Sequence, residues 1–104
     1  MIAMPAWAAA ISDGQAASHV GQTSTVCGKV ASVYTSRRGA TFLDFGADYP
    51  IESFTAVIFG SARAGFGQLG GLRGQQVCVT GSIDLYRGRP EMILRQPGQL
   101  KQGL

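Results

Sequence analysis

Val26-Cys27-Gly28-Lys29-Val30 and Val77-Cys78-Val79-Thr80-Gly81-Ser82-Ile83 are near-repeats of one another, and they narrow the folds open to this chain more than any other feature. Each alternates apolar residues with small or polar ones, the period of a β-strand with one buried face. Val26, Gly28 and Val30 fall on one face, as do Val77, Val79, Gly81 and Ile83 on the other strand. Both cysteines point the opposite way. If the two strands are neighbours in a small barrel, Cys27 and Cys78 lie side by side on its outside.

The length of 104 residues suits one domain with a small core. Fifteen glycines, only 14% charged residues and frequent turn signals favour a turn-rich all-β chain over a helical bundle. No apolar stretch approaches the ~20 residues of a membrane-spanning helix. The formal charge of +3, with Arg outnumbering Lys seven to two, permits binding to phosphate-rich partners without requiring it. Two cysteines allow either one bridge or two buried free thiols. A bridge across this span is worth about 4 kcal/mol in the chain-entropy picture. It implies a periplasmic or secreted setting, whereas reduced cysteines imply a cytoplasmic one. With His19 as the sole histidine beside two thiols, no zinc site can be assembled, and no other metal or cofactor is expected. Met1 to Ile11 is apolar and alanine-rich like the tail of a signal peptide, but it lacks a positive start and is interrupted by Pro5.

Along the chain, Ile11 to Val20 is expected to be a short helix capped by Ser12 or Asp13 and ended by Gly21. Five strands follow, at Thr23–Tyr34, Ala40–Phe45, Phe54–Phe59, Gln76–Leu85 and Glu91–Arg95. A loose helix and loop over Ser61–Leu72 separates the third from the fourth. Residues 1–18 are a lead-in and short helix, 19–96 the folded domain, and 97–104 a flexible tail. Five strands with a short helix between strands three and four is the order of the five-stranded Greek-key OB-fold barrel. The central Gly28 suits the sharp bend that such a barrel imposes on its first strand.

Val26-Cys27-Gly28-Lys29-Val30, Thr41-Phe42-Leu43-Asp44-Phe45-Gly46 and Val79-Thr80-Gly81-Ser82-Ile83, with Tyr86-Arg87-Gly88-Arg89-Pro90-Glu91, resemble small bacterial OB-fold nucleic-acid-binding proteins. Similar stretches occur in the accessory OB domains of secreted nucleases. The resemblance covers about residues 19 to 96, and it specifies the fold better than the ligand.

In an OB architecture the loop between strands one and two and the loop between strands four and five flank the face of strands two and three. These loops are Ser36-Arg37-Arg38-Gly39 and Tyr86-Arg87-Gly88-Arg89. Arg37, Arg38, Arg87 and Arg89 are therefore candidate phosphate contacts, and Tyr34 and Tyr86 candidate stacking platforms. If Leu43, Phe45, Ala56 and Ile58 point inward, Phe42 and Phe59 face the ligand surface, although a one-residue register error would exchange the two sets. Tyr49, in the turn Asp48-Tyr49-Pro50, is expected to pack over the barrel end, and Trp7 either to pack or to stay mobile in the lead-in.

Enzymatic chemistry finds little footing. His19 has no Ser/His/Asp set around it, and Asp44, Asp48, Glu52, Asp84 and Glu91 have no metal-ligand spacing. No Arg/Glu/Asp constellation matches a nuclease. Gly65-Phe66-Gly67 and Gly70-Gly71 lack the strand, helix and Lys of a phosphate loop. The expected function is weak single-stranded nucleic-acid binding without strong sequence preference. The rival is a periplasmic or secreted module for a protein or saccharide, or a homodimer.

Overall fold

The computed structural model describes residues 10–47 and 51–102. The chain is all-β, with one sheet and four short 3-10 segments among the described residues. The strands are β1 (Ile11–Ser12), β2 (Thr23–Thr35), β3 (Thr41–Phe45), β4 (Phe54–Ile58), β5 (Gln76–Ser82), β6 (Asp84–Tyr86), β7 (Arg89–Ile93) and β8 (Leu100–Gln102). Pairing follows the order β6-β7-β4-β3-β2-β5-β8, and β1 adds to β2 in parallel.

The long β2, rich in β-branched residues, belongs to two halves of this sheet. Its residues 23–29 pair antiparallel with β5, placing Cys27 directly opposite Cys78. Its residues from Val30 onward pair with β3. The register shifts between Val30 and Ser32, so the bend is a bulge around Ala31. Gly28 serves a different end from the bend read in the sequence. A Cβ there would collide with the Asp13 carboxylate and come within 3.2 Å of the Phe45 ring. It is the open floor on which Asp13 lies while accepting a hydrogen bond from Ser53 Oγ.

Ile83 is the second pivot. The strand expected over 76–85 is broken there: β5 ends at Ser82 and β6 starts at Asp84. Ile83 is fully buried, and its backbone bonds both Gly21 and Gln22. One residue thus joins strands at opposite regions of the pairing order, which requires the sheet to roll back on itself. Gly81 accordingly faces Met92 of β7, whose side chain lies 3.2 Å from where a Cβ would stand. The pairing path itself is open and holds seven strands, with β1 as the eighth beside it, so the closed five-stranded barrel expected from sequence is not what the hydrogen bonds describe.

Three further expectations are corrected. The helix over 11–20 is instead β1 followed by a 3-10 segment, Asp13–His19, entered where Gln15 Oε1 accepts the Ser12 N–H at 2.9 Å. The loose helix over 61–72 resolves into 3-10 segments Gly60–Phe66 and Gly70–Leu72, in keeping with its many glycines. The tail is not frayed over its whole length, because Pro97–Gln99 and β8 carry it back along β5.

The core is the inward set foreseen from alternation: Val26, Val30, Leu43, Phe45, Ala56, Ile58, Val77 and Val79 are buried, joined by Phe54 and Met92. Cys27 and Cys78 form a disulfide with Cα atoms 4.0 Å apart, on the opposite face from that core. β8 runs past Cys78, which is buried.

Candidate functional site

The outward face of β2, β3, β4, β7 and β6 carries its side chains in rows that the register determines. One row is Ser32, Asp44, Thr55, Glu91 and Asp84, and the next begins with Tyr34 and Phe42. Tyr34 reaches this face because of the bulge. Strict alternation from Val30 would send it to the core, and the extra residue turns it outward. Its ring stacks on Phe42, with centroids 6.1 Å apart and planes 30° from parallel.

Opposite stands the β6–β7 hairpin. Arg87 and Gly88 both have positive φ, +52° and +80°, the signature of a two-residue type I′ turn. The Arg87 guanidinium carbon lies 5.3 Å from the centroid of the Tyr86 ring. Between the two aromatic walls runs a groove of about 650 Å³.

Carboxylates line its floor. Asp44 is buried and accepts hydrogen bonds from Ser32 Oγ at 3.1 Å and Thr55 Oγ1 at 3.0 Å. Glu52 accepts from Arg89 Nη1 at 2.6 Å through Oε1, and its side chain is only 4% exposed. Its other oxygen, Oε2, is buried without a hydrogen-bond partner among the described residues. Burial, and after it the neighbouring Asp84 carboxylate, raise the Glu91 carboxyl above its ordinary pKa.

Of the residues singled out in the sequence, Tyr34, Phe42, Tyr86, Arg87 and Arg89 line this groove. Arg37, Arg38 and Phe59 do not. Arg37 and Arg38 are exposed on the β2–β3 turn, whose backbone packs against Gly60, next to the half-exposed Phe59. Register separates the two loops: this turn adjoins the Ile58 end of β4, whereas the hairpin adjoins its Phe54 end. His19 bonds Gln22 Oε1 through Nδ1 at 2.9 Å, in the turn that leads into β2. Tyr49, with the rest of its turn, and Trp7 lie outside the described residues. Sequence reasoning missed Glu52 and Glu91 as groove residues, because their spacing carries no signal until β4 and β7 lie side by side. Among the described residues no group of three or more His, Cys, Asp or Glu side chains is placed to hold a metal ion. No helix there is long and apolar enough to cross a membrane.

No protein-family model matches the chain, and no curated protein does. Solved structures do match. One, a crystal structure assigned to an aspartyl-tRNA synthetase of Leishmania major Friedlin, superimposes with a TM-score of 0.63 at 11% identity. The match covers 89% of this chain and 20% of that one. At that identity the likeness is one of fold, and it is to one fifth of a longer protein.

Proposed function

We propose that this protein is an OB-like binding module that holds single-stranded nucleic acid weakly and without strong sequence preference, and that it is not an enzyme. The observation that carries the reading is the gathering of Tyr34, Phe42, Tyr86 and Arg87 around one groove on the outward face of the sheet. Stacked aromatics accept any base, at about 1–3 kcal/mol per base. Arg87 at the groove, and Arg37 and Arg38 on the separate β2–β3 turn, are exposed cations suited to phosphates. The fold likeness to part of an aspartyl-tRNA synthetase, an enzyme named for a nucleic acid, is consistent with this reading.

The test is fluorescence anisotropy with labelled single-stranded oligonucleotides at about 20 and about 200 mM salt. Three phosphate contacts would weaken binding by about a hundredfold over that range. A variant carrying Arg37→Ala, Arg38→Ala and Arg87→Ala, with Arg89 retained because it pairs with Glu52, is expected to lose both affinity and salt slope. A folded sample that binds nothing at low salt would overturn the reading.

A second reading has its own support. The carboxylate floor attracts cationic groups, which favours a module for a basic protein segment, and the disulfide is compatible with an oxidising, periplasmic or secreted setting. Binding of a basic peptide with no oligonucleotide bound, or a homodimer buried on β3 and β4, would select it.

A further inference from the structure

The floor of the groove presents acceptors and holds one that the described residues leave unsatisfied. Glu52 Oε2 is buried with no hydrogen-bond partner among the described residues, although its sister oxygen is held by Arg89. A buried carboxyl oxygen left unpaired is costly and calls for an explanation, and a ligand that completes it is one. Glu91, on the neighbouring strand, adds a second carboxyl to the same cavity. Asp44 is already engaged by two hydroxyls. Phosphate oxygens would be repelled from such a floor, so a strand bound here turns its bases inward and its backbone toward the rim.

We infer that the groove selects bases by their amino groups: Glu52 Oε2 and the Glu91 carboxyl accept from an exocyclic N–H₂, so that cytosine is preferred over uracil between the aromatic walls. This deepens the nucleic-acid reading and rests on it. Cytosine N4 offers a donor where uracil has the O4 acceptor, and a carboxylate facing O4 meets only repulsion. The two bases are otherwise close in size and stacking surface, so the comparison isolates the edge.

The experiment titrates the full chain with labelled deoxycytidine and deoxyuridine decamers, beside an arginine-rich peptide. The expected result is about fivefold tighter binding of the cytidine strand, the lower end of what one base contact discriminates. Glu52→Gln and Glu91→Gln should each bring that ratio toward one while leaving deoxyuridine binding the same or stronger. Circular dichroism confirms the fold of each variant, and Glu91→Gln, which disturbs no observed ion pair, serves if Glu52→Gln unfolds. Equal binding of the two strands, with a ratio insensitive to both variants, would overturn the amino-group inference and leave the nucleic-acid reading standing. Binding of the peptide alone, with neither strand bound, would overturn both.

Discussion

Arg87 occupies a backbone position that glycine or asparagine would fill more easily. Its φ of +52° lies in the left-handed region, which costs an ordinary L-residue about 1–2 kcal/mol. Arg87→Asn is expected to stabilise the fold by about 0.5–1 kcal/mol in urea denaturation. The same change should weaken oligonucleotide binding, because it removes the guanidinium over Tyr86. Stability gained with affinity lost would mark the strain as serving the site. Glu91 permits a pH test. Its folded pKa is raised, so the folded state holds this proton more tightly than the unfolded chain does. The group's contribution is therefore most favourable below the unfolded pKa and declines as pH rises through the folded one. Glu91→Gln should raise Tm at neutral pH, and the gain should shrink as pH falls into the ordinary carboxylate range. At this scale residue types were legible and environments were not. Tyr86, Arg87 and Arg89 were candidates from a turn signal, whereas Glu52 gains its interest only from the burial that tertiary packing imposes.

At the scale of elements, alternation identified strands well and their ends poorly. The inward set of β2 and β5 follows from apolar periodicity, whereas β3 and β4, buried on parts of both faces, take theirs from the register of their partners. The breaks at Ala31 and Ile83 left no composition signal: both interrupt runs of strand-forming residues, and the roll of the sheet places them. Gly28 makes room for Asp13 and the Phe45 ring, while the bend of β2 falls at the bulge. Gly28→Ala should destabilise by about 2 kcal/mol in denaturant, since the added methyl must displace Asp13 or the Phe45 ring. β8 offers a complementary test. Leu100 packs against the core opposite Val79, so Leu100→Asp should cost about 2 kcal/mol. By releasing β8 from Cys78, it should also speed reduction of the disulfide by dithiothreitol, followed by thiol titration.

Over the whole molecule, the disulfide ties the two strands on which the rolled sheet depends. Its loop spans a sequence separation of 51 residues, for which chain entropy gives about 4 kcal/mol. Cys27→Ala/Cys78→Ala should lower stability by about that amount, a large part of what a domain of this size possesses. Equilibrium unfolding of the oxidised protein and the double variant measures it. What the sequence by itself determined was the all-β class, the alternation within the two cysteine strands and the turn at Arg87-Gly88. These rest on local periodicity or on turn chemistry, which neighbouring residues suffice to specify. What only the tertiary structure decided was the composition of the groove. One extra residue at the β2 bulge turns Tyr34 from the core to Phe42, and parallel pairing of β4 with β7 lays Glu91 across from Thr55, beside Asp44. A strand shows one face or the other according to a one-residue register, and register is a property of the partner strands and of the roll that closes them over a shared core.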